Sequence, residues 1–129
     1  MIYVTDTHPL LWFLLKDKKL SKEAKELFEM AESGRLTIIV PPIVLLELMY
    51  VLEKASLMEK FNEIIEELEG VSNYEIFPLD LDVVKIVSKI QSIRELHDRI
   101  IVATSKVLDC KLITKDEKVT ESKEVECIW

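Results

Sequence analysis

Three aspartates sit at strand ends or helix starts and a glutamate interrupts an apolar helix, and together these four acids could hold a divalent metal ion. Asp6, in Thr5-Asp6-Thr7-His8-Pro9, follows the short apolar run Ile2-Tyr3-Val4 and leads into a helix. Glu47 is the only charge between Ile43 and Leu52. Positions 43, 46, 50 and 51 share its helical face and are apolar, so an unpaired carboxylate there is expected to carry a large desolvation cost. Asp98 precedes the helical stretch Arg99 to Leu108, and Asp116 lies two residues past Lys111-Leu112-Ile113-Thr114. Each has an ordinary reading when taken singly. Asp6 and Asp98 would be helix caps, Asp116 a turn or cap residue, and Glu47 half of a salt bridge or an acid reaching solvent. The conjunction is more informative, because ionisable groups in apolar settings cluster at functional sites.

Carboxylate oxygens are hard ligands that select Mg²⁺ or Mn²⁺ over zinc. Two such ions can activate a water, steady a leaving oxygen and neutralise phosphate charge in an in-line displacement. The expected chemistry is hydrolysis of a nucleic-acid backbone, with Asp6 and Asp98 as principal metal ligands and Glu47 and Asp116 completing the site. Thr7, Thr114 and Ser105 are hydroxyls expected close by, able to orient a water or an acid. His8 and His97 flank two of the acids but are weak signals by themselves.

Other chemistries lack their residues. No glycine-rich phosphate loop exists, since Gly34 and Gly70 both read as helix stops. Neither a Gly-x-Ser-x-Gly elbow nor a cysteine–histidine pair suggests nucleophilic catalysis. Asp6-Thr7-His8 lacks the second aspartate that a haloacid-dehalogenase-type phosphatase places two residues on. A receiver domain would need an acid after its third strand, where this chain has Phe77-Pro78.

The elements that must position the acids can be followed along the chain. Ile2 to Val4 reads as a buried central strand, with Thr7 as cap and Pro9 in the first turn of a helix carrying Leu10 to Leu15. Ser21 caps a second helix with Ala24, Leu27, Phe28 and Ala31 as its apolar stripe. Thr37 to Val40 is a second strand; Pro41-Pro42 ends it and opens a helix from Ile43 to Lys54. An amphipathic helix follows from about Leu57 to Glu69. Tyr74 to Phe77 is a third strand, and Asp80 caps a helix with Val83, Val84, Ile86, Val87 and Ile90 inward. The helix before Asp109, the strand 111–114, a turn after Asp116 and a last strand near Val125 to Trp129 complete the chain. Strands alternating with helices imply parallel βαβ units in a three-layer α/β sandwich.

The 129 residues are expected to form one domain, residues 1–129, with a core that needs no staples. Cys110 and Cys127 read as buried thiols, although the lysine- and glutamate-rich composition with a single Gln91 resembles that of heat-adapted proteins, in which an internal disulfide is possible. The run Leu10 to Leu15 is too short to cross a bilayer and no leader pattern precedes it, so no membrane association and a cytoplasmic location are expected. The net charge of −7 opposes simple electrostatic binding to nucleic acid. That objection weakens if several acids converge on cations that reverse the local sign.

With those residues placed, the sequence resembles the PIN-domain nucleases, and in particular the VapC-type toxins of toxin–antitoxin systems. Val4-Thr5-Asp6-Thr7-His8-Pro9-Leu10-Leu11-Trp12 is similar to the family's first motif, and Pro42 through Glu47 to its second-acid helix. His97-Asp98-Arg99-Ile100-Ile101-Val102-Ala103-Thr104 and Leu112-Ile113-Thr114-Lys115-Asp116 resemble the third and fourth. Ala103-Thr104-Ser105 departs slightly from the usual Ala-Thr-Ala. The resemblance implies a parallel sheet ordered 3-2-1-4-5 and RNA cleavage leaving a 3′-hydroxyl. It implies Asp6, Glu47, Asp98 and Asp116 as metal ligands, with Thr114 and Thr7 in support. It further implies a homodimer and a small antitoxin protein whose tail enters the acidic groove. Arg99, Lys115 and Lys118 are the nearest cations for gripping RNA. Two alternatives stay open: a catalytically idle interaction module of the same fold, and an RNA-processing or DNA nuclease.

Overall fold

The computed structural model describes residues 1–71 and 73–129. Five short strands, β1 (Ile2–Thr5), β2 (Thr37–Val40), β3 (Tyr74–Ile76), β4 (Lys111–Ile113) and β5 (Cys127–Ile128), form one sheet. All are parallel, in the order β3-β2-β1-β4-β5, as expected. The helices are α1 (Thr7–Leu14), α2 (Lys22–Glu32), α3 (Pro42–Lys54), α4 (Met58–Gly70), α5 (Leu81–Val87), α6 (Leu96–Leu108) and α7 (Glu117–Ser122). The connections out of β1 and β2 run one way across the sheet, and those into β4 and β5 the other. Right-handed crossovers therefore send their helices to opposite faces. None of the helices among the described residues is long and apolar enough to cross a membrane.

The carboxyl halves of β1, β2 and β4 are mainly apolar because both faces of the sheet centre are covered, while Ile2 at the start of β1 is 48% exposed. Val4, Ile38, Val40, Leu112 and Ile113 are all fully or almost fully buried. Helices meet them with Leu10, Phe28, Val44, Leu48, Val83 and Val102, and Phe13 stacks on Phe28 with ring centroids 4.9 Å apart. Ser21 caps α2 through Ala24 N–H and Asp80 caps α5 through Val83 N–H, as their positions predict. Gly34 ends the α2 turn at φ +80, where a side chain would be strained.

Several expectations are corrected. Asp6, not Thr7, is the N-cap of α1, so Thr7 is released for another partner. The helix holding Asp98 starts at Leu96 behind Glu95, which places Asp98 in the first turn and not at the cap. Val84 points outward at 50% exposure, because α5 is too short to bury more than one stripe. Helix α7 stands where a turn was expected; with Val119 as its single buried residue, it has no apolar periodicity to announce it. The strands near the carboxyl end are shorter than predicted, with Thr114 outside β4 and only Cys127 and Ile128 in β5. Both cysteines are free and half-buried.

Candidate metal centre

The carboxyl ends of all five strands lie along one edge of the sheet, and the strand order reverses between β1 and β4. Such a switch point leaves a crevice beyond the strand ends, where open α/β sheets bind ligands. Asp6 immediately follows β1, and its N–H donates to Ile113 O at 2.9 Å, locking it against the end of β4. Thr114 and Asp116 follow β4 directly. Glu47 reaches in from the second turn of α3 and Asp98 from the first turn of α6.

Hydrogen bonds organise these acids from two threonines. Thr7 N–H donates to Asp6 Oδ1 at 2.7 Å, and Thr7 Oγ1 donates to Glu47 Oε1 at 2.9 Å. The other oxygen of Asp6 accepts from Thr114 Oγ1 at 2.6 Å, and that hydroxyl accepts in turn from Asp116 N–H at 3.1 Å. Thr7 and Thr114 are 2% and 1% exposed, so neither hydroxyl has water as an alternative partner. Asp116 also caps α7 through Val119 N–H at 3.0 Å, which makes its ordinary reading correct without removing it from the site.

Burial and neighbouring charge both act on these carboxyls. Burial pushes the Asp98 carboxyl up to about 6, with the charges of Asp6, Asp116, Glu47 and Glu95 adding to the shift. Burial also raises Asp6, against the opposing bonds from Thr114 and Thr7 and the charge of His8, while Asp116 adds to the rise. Among the described residues no three such side chains stand at ligand distance around a common point. The donor set itself suits a hard divalent cation: all-oxygen, multiply anionic and held at one crevice by buried hydroxyls.

Other expected residues separate. Glu47 is not enclosed by apolar neighbours: Leu46 and Tyr50 beside it are each 54% exposed, and α3 buries Val44, Leu48 and Leu52 instead. A helix apolar on every side does not reveal its buried face, and the outward face carries the acid. Ser105 lies away from the site, fully buried with no hydrogen-bond partner for its Oγ, beside a cavity lined by Lys106 and Cys110. Arg99 is structural: its guanidinium donates to Ile93 O and Arg94 O at 2.6 and 3.0 Å, holding the loop before α6. Lys118 lines a cavity of about 790 Å³ with Asp98 and Arg94, and Lys115 lines a groove of about 380 Å³ with Asp6 and Asp116. His97 Nδ1 lies 3.7 Å from Glu47 Oε2, a proximity that spacing alone did not reveal.

The PIN-domain family model matches residues 3–124, a span that holds all four acids. The chain belongs to the PIN-domain family. PIN domains are nucleases, and Asp6, hydrogen-bonded to Ile113 and Thr114, stands at this one's switch point. No curated protein matches the sequence. Among solved structures, the PIN domain is similar to a chain of VapBC2 from Rickettsia felis bound to a DNA fragment from their promoter, with TM-score 0.76 and 18% identity over 99% of this chain and 98% of that one. A chain of FitAcB from Neisseria gonorrhoeae gives 0.73 at 20% identity, covering 100% of this chain and 97% of its own. VapBC from Salmonella typhimurium, also DNA-bound, gives 0.75 at 16%, covering 99% and 97%. At such identities the likeness concerns the fold.

Proposed function

We propose that this PIN domain is a Mg²⁺- or Mn²⁺-dependent endoribonuclease and the toxin of a toxin–antitoxin pair. The observation that supports the reading is the hydrogen-bonded set at the β1/β4 crevice, in which Thr7 holds Glu47 and Thr114 joins Asp6 to the Asp116 backbone, with Asp98 in the first turn of α6. The similarity to chains of VapBC and FitAcB structures supports the toxin assignment and a small antitoxin as partner. In this reading Asp6 and Asp98 are the principal metal ligands, with Glu47 and Asp116 completing the set. A bound divalent ion supplies Lewis-acid activation and neutralises charge at the phosphate.

The chain's own residues do the positioning. Thr114 and Thr7 N–H hold the two Asp6 oxygens apart, each aimed by a separate donor. Thr7 Oγ1 fixes one oxygen of the Glu47 carboxylate, and His97 Nδ1 lies 3.7 Å from the other. Water adds to phosphorus, the bond to the 3′-oxygen breaks, and that oxygen leaves as a hydroxyl. The decisive experiment is cleavage of single-stranded RNA with Mg²⁺ or Mn²⁺ by the native protein and by Asp6→Asn and Asp98→Asn. Both variants should lose at least about a hundredfold in rate, of the order seen when one electrostatic stabiliser is removed. Full activity in both, or in EDTA, overturns the assignment.

We further propose a homodimer through the outward face of α3. Leu46, Tyr50 and, on the neighbouring α6, Leu96 are 54%, 54% and 57% exposed, on two helices that meet through Glu47 and His97. Helix α1 buries Pro9, Leu10 and Leu11 in the core. Sedimentation showing only monomer at micromolar concentration contradicts the dimer. A second reading is an idle interaction module, favoured by the absence, among the described residues, of three acids at ligand distance around one point. It predicts no divalent-ion binding near millimolar concentration.

A further inference from the structure

An acidic protein that acts on RNA needs some feature to hold the strand, and the four acids repel it. The sequence around α1 offers a local exception. Residues 12–25 carry five lysines (16, 18, 19, 22 and 25) against Asp17 and Glu23, a balance of +3 inside a chain of −7. At the head of this segment stands Trp12, six residues after Asp6 and partly exposed.

Trp12 forms a shared wall between two cavities. One is the groove of about 380 Å³ that also contains Asp6, Asp116 and Lys115. The other, about 570 Å³, runs along the end of α1 and is lined by Lys16, Lys18 and Lys25. The indole is braced: Trp129 meets it edge-on at 5.8 Å and His8 lies tilted at 5.4 Å. Two ammonium groups lie over the ring, Lys115 Nζ at 5.7 Å and Lys19 Nζ at 5.8 Å from its centroid.

We infer that Trp12 is a nucleobase-stacking platform over which a single-stranded RNA leaves the acid cluster toward the lysines of segment 16–25. This rests on the ribonuclease reading and adds to it the path of the strand. Every base presents a π-face, so stacking on a braced aromatic ring binds single strands with little regard to sequence. A solvent-exposed cation–π contact is weak. An arriving base can therefore displace the ammonium groups of Lys115 and Lys19, which then meet the phosphates on either side of it. Lys25 is paired with Glu29, and Lys19 with Asp17. Lys16, Lys18 and Lys22 have no ion pair among the described residues, so they stay available to phosphate. Glu29, Glu32 and Glu67 also line the larger cavity, and their repulsion of phosphate favours a path beside the free lysines. The same lysines repel a basic peptide, the other occupant an indole face could attract.

The test is binding of a fluorescein-labelled ten-nucleotide single-stranded RNA to the Asp98→Asn protein, which holds RNA without cutting it. In that background Trp12→Leu fills the space without an aromatic face, and Trp12→Phe keeps the face. Trp12→Leu should weaken binding by about 5- to 100-fold and Trp12→Phe by no more than about threefold. An oligomer without bases should bind all three proteins alike. Replacing Lys16 and Lys18 by Ser should flatten the slope of log affinity against log salt by about 0.7 for each phosphate no longer neutralised. Urea unfolding identifies any variant that fails to fold; Trp12→Phe then decides, by quenching of Trp emission in a Trp129→Phe protein compared with the same protein carrying Trp12→Phe. Unchanged RNA affinity in a folded Trp12→Leu protein overturns the platform while leaving metal-dependent cleavage untouched. Native protein that binds RNA through Trp12 yet never cuts it overturns the ribonuclease reading and keeps the platform. A basic peptide bound in a Trp12-dependent way, with RNA indifferent to Trp12, assigns the ring to a protein partner and also overturns it.

Discussion

Thr114 Oγ1 donates a 2.6 Å hydrogen bond to Asp6 Oδ2, joining residues 108 apart in sequence at the ends of two adjacent strands. The hydroxyl is 1% exposed and also accepts from Asp116 N–H, so it couples three of the site's groups through one oxygen. Replacing it by the near-isosteric Val leaves a buried carboxylate oxygen and a backbone donor without their partner. Thr114→Val is expected to destabilise the metal-free protein by about 1–3 kcal/mol, the cost of leaving buried polar groups unsatisfied, while Thr114→Ser should recover most of it. Urea unfolding of the three proteins in EDTA measures this. The Val variant should also raise the Asp6 carboxyl further, because the Thr114 bond opposes the effect of burial.

The buried face of α3 makes a separate prediction. Leu48 is fully buried and Leu46, two residues earlier, is 54% exposed. Leu48→Ala should cost about 2–5 kcal/mol through reduced burial and a residual cavity. Leu46→Ala should lie within about 0.5 kcal/mol of the native monomer, as for an ordinary surface change. Equal effects on thermal unfolding would show that the helix is rotated from its position here.

How much was legible in the chain differs between the scaffold and the site. The alternation of strands and helices, and the placing of Asp6, Asp98 and Asp116, follow from strand ends and helix starts, since apolar runs ending in Asp or Pro mark where a parallel strand stops; the sheet order came from the resemblance to PIN domains alone. Glu47 was found for a mistaken reason. Its helix is apolar all round, periodicity was silent about which side faces inward, and the acid lies on the open side. Helix α7 escaped notice because Val119 is its only buried residue. His97 and Trp12 needed three dimensions: one acquires meaning from Glu47, fifty residues away, and the other from two cavities that meet at its ring.

A pH dependence follows from Asp98. Its carboxyl titrates near 6 in the folded protein, against about 4 when unfolded, so between those values the folded state holds a proton that the unfolded chain has released. Stability of the metal-free protein therefore falls as pH rises from about 4 to 6, then levels off. A divalent ion must displace that proton, so its affinity should rise by up to about tenfold per pH unit over the same interval. Denaturant titrations in EDTA at pH 4.5, 6 and 7.5 check the first part. Asp98→Asn should reduce the slope, leaving the part that comes from Asp6, whose carboxyl burial also raises; a slope of opposite sign in the native protein would show that burial does not govern these carboxyls.

Everything proposed for the β1/β4 crevice depends on its acids sharing one divalent ion. Calorimetric titration of Mn²⁺ into native protein and Asp98→Asn at pH 7.5, with the fold of each checked by unfolding, decides whether they do. Saturable binding to the native protein is expected, with at least about tenfold weaker binding to the variant, comparable to the effect of disturbing a metal site elsewhere. Equal affinity in both, or no binding to a folded native protein, would contradict the shared ion.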